Sequence, residues 1–200
     1  MSQNNNALYK IVLLGESSVG KTSIITRLTK NTFSQLSIST FSGCYTQKEL
    51  DIDGTIINLE IWDTAGQERY RSLAKNYYKG CDAAIFVYDI TNKKTFDEIS
   101  NYWLNELRDN CPDIILGLAG NKFDLFEKEQ VTEKEGKILA EKIDAVFYST
   151  SAKESVGIDA LFQDIGEMLV QKNNRTESIF NNTISTKLSA ENMTSGKKCC

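Results

Sequence analysis

The 200-residue chain contains no histidine. That removes Ser-His and Cys-His nucleophile pairs, His-ligated metals and histidine proton shuttles in one step, so any catalysis must use other groups. Proline occurs once, at Pro112, and glycine twelve times, which excludes collagen-like and proline-rich chains. No apolar run approaches the length of a bilayer span. The opening stretch Met1–Ala7 is polar and uncharged, and so lacks the basic and apolar parts of a secretory leader. Its second residue is Ser2, which excludes N-myristoylation. A basic excess is also missing: 23 Lys and Arg stand against 27 Asp and Glu, a net charge of −4, which argues against a nucleic-acid binder. Three of the five cysteines, Cys44, Cys81 and Cys111, are scattered without CxxC pairing. They predict buried or half-buried thiols in a reducing compartment rather than a zinc or redox motif. What is present, 40% hydrophobic and 25% charged residues, suits a soluble domain with a real core, alone or with a tail.

Composition divides the chain. Residues 1–7 read as a flexible start and residues 8–172 as one folded domain. Residues 173–200 read as a disordered tail, because 13 of these 28 residues are Asn, Ser or Thr and apolar residues thin out. Within the body, strand-like and helix-like segments alternate. Tyr9–Leu14 is a short β-rich apolar run, and Lys21–Leu28 follows as a helix. Ile57, Leu59 and Ile61 alternate with Asn58, Glu60 and Trp62, the period of a half-buried strand. Asp53-Gly54 just before it predicts a hairpin, hence one antiparallel pair. Ala83–Tyr88 and Ile114–Ala119 are continuous apolar runs, as in strands buried on both faces. Phe96, Ile99, Trp103 and Leu107 recur at helical spacing, as do Ile158, Leu161, Phe162, Ile165 and Leu169. Ala145–Ser149 reads as a sixth strand after a Lys/Glu-rich helix. The sum predicts an α/β fold: a six-stranded, mostly parallel sheet with one antiparallel edge strand and helices on both faces.

Gly15-Glu16-Ser17-Ser18-Val19-Gly20-Lys21-Thr22 fits G-x-x-x-x-G-K-[ST]. Successive backbone N–H groups in such a P-loop wrap an anion, glycines allow close approach, and the following helix N-terminus favours negative charge. Lys21 would reach the β- and γ-phosphates and the Thr22 hydroxyl would take a place on Mg²⁺. The context supports this over a plain glycine turn with a capping hydroxyl, since an apolar strand precedes the motif and a helix beginning Ser23–Leu28 follows it. Trp62-Asp63-Thr64-Ala65-Gly66-Gln67-Glu68 would complete the metal side. Asp63 at a strand end suits a water-mediated Mg²⁺ partner, Gly66 can offer a backbone N–H to a γ-phosphate oxygen, and Gln67 can orient water without being a strong base.

Asn121-Lys122-Phe123-Asp124 follows a buried strand. A carboxylate accepts from both N1–H and the exocyclic amine of guanine, whereas adenine would leave a buried Asp124 unpaired. Asn121 can bond the base on its other edge, and the Lys122 stem can lie across the ring. Ser151-Ala152-Lys153, after the sixth strand, can add a backbone N–H to guanine O6. Ligands of open α/β sheets bind at the C-terminal strand ends, where these segments belong.

Together these residues resemble the Ras superfamily of small GTPases and, within it, the Rab family. The resemblance covers residues 8–172 and the final two cysteines. Its specific strings are Glu60-Ile61-Trp62-Asp63-Thr64-Ala65-Gly66-Gln67-Glu68-Arg69-Tyr70, Tyr77-Tyr78-Lys79-Gly80 and Val87-Tyr88-Asp89-Ile90-Thr91. It implies a GTP- and GDP-binding, Mg²⁺-dependent GTPase that hydrolyses slowly, with Gln67 and Lys21 in catalytic roles and no arginine finger in cis. It further implies that Phe33 packs edge-on against guanine, that Ser23 joins the nucleotide-binding set, and that Thr40 binds Mg²⁺ and the γ-phosphate in the GTP state. Asp63–Tyr78 would form the second switch, ordered by the γ-phosphate and released on hydrolysis. At the first switch the run Thr40-Phe41-Ser42-Gly43-Cys44-Tyr45 departs from the Thr-Ile-Gly and apolar–acidic–Phe stretch common in Rab proteins, which bears on effector choice.

Cys199-Cys200 is not a CaaX box and resembles the substrate of double geranylgeranylation. The tail's net charge, Arg175, Lys187, Lys197 and Lys198 against Glu177 and Glu191, is too small to anchor it alone. The implied partners are an exchange factor, an activating protein, a GDP-dissociation inhibitor or escort protein, and GTP-state effectors at both switches. The implied place is the cytoplasmic face of endomembranes, cycling with cytosol in vesicle trafficking. Leu118-Ala119-Gly120-Asn121-Lys122 and Glu68-Arg69-Tyr70 look like the endocytic branch. Two competing readings are a nucleotide-dependent scaffold without hydrolysis, opposed by Gln67, and an ATP-using phosphotransferase, opposed by Asp124.

Overall fold

A computed structural model describes residues 7–35, 40, 44–64, 77 and 80–175. Six strands form one sheet in the order β2-β3-β1-β4-β5-β6: β1 (Ala7–Leu14), β2 (Cys44–Ile52), β3 (Thr55–Asp63), β4 (Ala83–Asp89), β5 (Ile115–Asn121) and β6 (Ala145–Ser149). All neighbours are parallel except β2 and β3, which pair antiparallel at the edge. The hairpin between them turns at Asp53 and Gly54 with φ of 50° and 83°, the positive pair that a type I′ turn requires. The Asp51 carboxylate accepts from the Gly54 N–H at 2.8 Å and fixes that turn.

The period-2 pattern sends alternate residues to opposite faces. On one face Ile11, Leu13, Ile57, Leu59, Ile61 and Ile85 pack against two helices. These are α1 (Lys21–Lys30), through Ile24, Ile25 and Leu28, and α4 (residues 158–175), through Ile158, Leu161, Phe162, Ile165 and Leu169. On the other face Val12, Leu14, Ala84, Phe86 and Tyr88 meet α2 (residues 93–110) and α3 (Glu133–Ile143). Helix α2 is continuous but composite: Lys93–Glu98 is α-helical, Ile99–Trp103 is a π-helical stretch, and Leu104–Asn110 is α-helical again. The predicted apolar stripe survives that insertion, because Ile99, Trp103 and Leu107 are all fully buried. Strands β4 and β5 are buried along their whole length, as their unbroken apolar runs predict.

Helix α3 starts with a capping box in which Thr132 and Glu135 satisfy each other's backbone N–H groups. Helix α4 is described as far as residue 175. Cys81 and Cys111 are partly buried thiols, and burial pushes the Cys81 pKa up to about 12. Among the described residues no helix is long and apolar enough to cross a membrane. Because β1, β3, β4, β5 and β6 are parallel, their C-terminal ends share one rim, and every described segment singled out for chemistry emerges there.

Candidate functional site

A cavity of about 380 Å³ opens along this rim. One end is lined by Ser17, Ser18, Gly20, Lys21, Thr22 and Ser23, and the other by Asn121, Lys122, Asp124, Ala152 and Lys153, with Phe33 and Thr40 bordering it from the segment after α1. Two separate sequence motifs thus meet in one space of the size small ligands occupy.

At the first end the chain leaves β1, turns through Ser18 (φ 64°) and Gly20 (φ 99°), and enters α1 at Lys21. A Cβ on Gly20 would stand 2.4 Å from the Asn121 side chain, so both the conformation and the space demand glycine. Lys21 is buried, and its ammonium donates to the Gly15 carbonyl at 2.7 Å and the Glu16 carbonyl at 2.9 Å. It therefore curls back over the loop. Burial lowers its pKa to about 8, against the opposing charges of Asp63 and Glu16.

Next to it three oxygen-bearing side chains converge from three elements. Thr22 Oγ1 donates to Asp63 Oδ2 at 2.6 Å, Thr40 Oγ1 lies 2.9 Å from Thr22 Oγ1, and Thr40 Oγ1 donates to Asp63 Oδ2 at 3.3 Å. Asp63 closes β3, where it pairs with Leu13 of β1, and the Thr64 hydroxyl anchors the following turn on the Leu13 carbonyl at 2.6 Å. Burial raises the Asp63 pKa, while the Thr22 hydrogen bond and the Lys21 charge resist that shift. Its second oxygen, Oδ1, is buried and finds no hydrogen-bond partner among the described residues. A carboxylate oxygen shut away from water and unpaired is costly, and a hard cation beside it would remove that penalty. Among the described residues no group of three or more His, Cys, Asp or Glu could cage a metal. A cation here would therefore rest on hydroxyls, one carboxylate and ligand oxygens, the usual manner of Mg²⁺.

At the second end Asn121, the last residue of β5, is buried. Its amide donates to the Val19 carbonyl at 2.8 Å and accepts from Thr150 Oγ1 at 3.3 Å. Asn121 thus ties the phosphate loop to β5 and to the end of β6, a duty the sequence does not disclose. Lys122 sits at φ 66° and directs its ammonium to Asp89 Oδ2 at 2.6 Å, so its stem borders the cavity while its charge is neutralised at the end of β4. The Asp124 carboxylate accepts from Ser151 Oγ at 2.6 Å and has Lys153 Nζ at 3.9 Å. Ser151 N–H is spent on the Val156 carbonyl at 3.0 Å, which leaves the Ala152 and Lys153 N–H groups as the donors this loop can offer a ligand.

Two residues outside the expected set also act here. Asp89 balances Lys122, and Arg27 of α1 binds the backbone of Ala152 and Lys153. Asp89 was within reach of sequence reading, since it lies inside the Val87–Thr91 string. Arg27 was not, because 125 residues separate it from Ala152. The predicted Gly66 and Gln67, and the pair Cys199 and Cys200, lie outside the described residues.

On the edge hairpin, Tyr45 of β2 and Trp62 of β3 have ring centroids 5.2 Å apart, and Trp62 and Tyr77 5.7 Å apart. Lys10 Nζ lies 4.8 Å from the Trp62 ring, and Tyr45 remains 52% exposed.

The sequence model of the Ras family matches residues 10–171. Among curated proteins the chain is 46% identical over 159 residues to Ras-related protein RGP2 of Oryza sativa subsp. japonica, covering 79% of this chain and 73% of that one. It is 43% identical over 166 residues to Ras-related protein RABA2d of Arabidopsis thaliana, covering 82% and 76%. It is 44% identical over 159 residues to Ras-related protein Rab11E of Lotus japonicus, covering 79% and 72%. The strand order, the loop before α1 and the two-ended cavity agree with these matches, and the chain belongs to the Ras family and, within it, to the Rab small GTPases, proteins that bind and hydrolyse GTP.

Proposed function

We propose that this Rab-like GTPase is a membrane-attached switch of vesicle trafficking whose nucleotide spans the rim cavity, phosphates over the loop before α1 and guanine against Asp124. The observation that carries this reading is the placement of two unlike polar ends in one cavity: the Thr22, Thr40 and Asp63 oxygens at one end and the Asp124 carboxylate at the other.

In this reading Lys21 leaves the Gly15 and Glu16 carbonyls for the β- and γ-phosphate oxygens, while the N–H groups of residues 15–22 surround the anion. Thr22 and Thr40 would hold Mg²⁺ directly and Asp63 through water; the ion supplies charge neutralisation between the β- and γ-phosphates. Gln67 orients the attacking water and Gly66 donates its N–H to the γ-phosphate. Hydrolysis would be slow without an activating protein, which would supply an arginine in trans. Asp124 accepts from guanine N1–H and the exocyclic amine, Ala152 N–H donates to O6, the remaining Asn121 amide hydrogen serves the base's other edge, and Phe33 packs against the ring edge-on.

Loss of the γ-phosphate removes the reason for Thr40 to stay beside Thr22, and the first switch releases. Effectors would read Thr40 together with the exposed Tyr45 and its aromatic neighbours. The exchange factor and the dissociation inhibitor act on the same surface and on the tail. Geranylgeranyl groups on Cys199 and Cys200 supply two anchors, enough for stable attachment to endomembranes where one is marginal.

The test is single-turnover hydrolysis of bound GTP, wild type beside Gln67→Leu, with Mg²⁺ and after chelation. Slow Mg²⁺-dependent turnover that Gln67→Leu suppresses, with GTP still bound, supports the reading. Equal turnover in both proteins contradicts the role of Gln67.

A further inference from the structure

Arg27 lies on the same helix as the phosphate-side residues Lys21 and Thr22, yet its side chain faces the base loop. Its guanidinium makes four hydrogen bonds. Nε donates to the Ala152 carbonyl at 2.8 Å and Nη2 to the Lys153 carbonyl at 3.0 Å, while Nη1 donates to the Asn31 carbonyl at 2.9 Å and to Asn31 Oδ1 at 3.1 Å. Asn31 caps α1 in the left-handed region (φ 50°) and returns its N–H to the Arg27 carbonyl at 2.9 Å. One planar group therefore joins three things: the helix that begins at the phosphate loop, the start of the segment that carries Phe33 and Thr40, and the 152–153 backbone beside the base pocket.

The Ala152 carbonyl cannot easily do without it. Ala152 is 3% exposed, and a buried carbonyl without a donor carries a desolvation penalty that a small loop shift toward water would relieve. Such a shift displaces the adjacent Ala152 N–H. Lysine cannot substitute fully, because a point charge lacks the fork that reaches two successive carbonyls and the Asn31 cap together.

We propose that Arg27 is a positioning residue for base recognition: its guanidinium fixes the 152–153 backbone so that the Ala152 N–H stays in register with guanine O6, and it locks that loop to the phosphate-binding helix. This rests on the reading above in which Ala152 serves O6. Guanine discrimination in this protein is thus shared by Asp124, which touches the base, and Arg27, which does not.

The test compares release of GDP and of 6-thioguanosine 5′-diphosphate from the Mg²⁺-bound protein, wild type beside Arg27→Met and Arg27→Lys. Sulfur at position 6 is a weak acceptor, whereas N1–H and the exocyclic amine that pair with Asp124 are kept. Wild type should release the thio analogue faster than GDP. Arg27→Met should release GDP about tenfold faster, the loss of one charge-assisted hydrogen bond. It should speed release of the analogue by no more than about twofold, because the O6 contact is already weakened there. Arg27→Lys should fall between, and it carries the same comparison if the Met variant does not fold. Equal acceleration of both ligands, or of neither, overturns the role of Arg27 while leaving the Ala152–O6 contact standing. Equal release of both ligands from wild type removes that contact, and the proposal with it.

Discussion

The Asn121 side chain donates to the Val19 carbonyl at 2.8 Å across 102 residues of sequence, so the strand that ends at the proposed base pocket holds the loop proposed to receive the phosphates. The two halves of the nucleotide site are mechanically one. Asn121→Ala removes that bond and the Thr150 bond and leaves the Val19 carbonyl inside without its donor. It should destabilise the fold by about 1–3 kcal/mol and speed GDP release by roughly tenfold or more. Urea unfolding and nucleotide release on the same variant check both. A variant with normal release would show that the tie is structural only.

Mg²⁺ removal should expose the role of Asp63. Chelation is expected to accelerate GDP release from wild type by about tenfold or more, equivalent to about 1.4 kcal/mol of lost retention. In Asp63→Ala, release should already be fast and respond little to the chelator. A strong chelator response in Asp63→Ala would mean that the ion is held without this carboxylate and that the orphaned Oδ1 has another explanation.

Much of this site was legible from order along the chain, and the reason is local. The loop before α1, the strand-end Asp63 and the Asn121–Asp124 segment each announce themselves within a few residues, because each is a short contiguous run at a strand end, and the structure brings all three to one rim. Strand burial was legible for the same reason, with β3 alternating and β4 and β5 unbroken. What stayed hidden is non-local. The Arg27–Ala152 and Lys122–Asp89 pairs exist only once α1, β4 and the β6 loop are brought to one rim. The π-helical stretch at Ile99–Trp103 was invisible because Ile99, Trp103 and Leu107 keep the four-residue spacing of an ordinary helix.

The buried Lys21 predicts a pH dependence. Burial lowers its folded value to about 8, below its ordinary 10.5. Between those values the unfolded chain binds more protons than the native one, so the nucleotide-free protein gains stability as pH rises through this window; below about 8 Lys21 contributes no slope. The stability difference between wild type and Lys21→Met, measured by urea midpoint from about pH 7.5 to 10, should therefore move in favour of wild type. A difference that stays flat would place the Lys21 ammonium in water.

Gly136 tests the packing of α3 on the sheet. A Cβ there would lie 2.5 Å from the Phe147 ring and 2.6 Å from the Tyr88 hydroxyl. Alanine gains about 1 kcal/mol in helix propensity, but forcing a methyl into a filled core costs about 1–3 kcal/mol. The clash should win, and Gly136→Ala should lose about 1 kcal/mol net with an unchanged urea m-value. A stabilised variant would show that α3 can lift off the Tyr88–Phe147 surface at little expense.

The most direct measurement is the affinity of the purified, Mg²⁺-bound protein for GDP against ADP, in wild type and in Asp124→Ala. A half-buried carboxylate that guanine pairs and adenine does not should give a preference of roughly a thousandfold or more for GDP, and removing that carboxylate should collapse most of it. Comparable affinity for the two diphosphates in wild type would contradict the assignment of Asp124 as the base-reading residue and of the cavity as a guanine site.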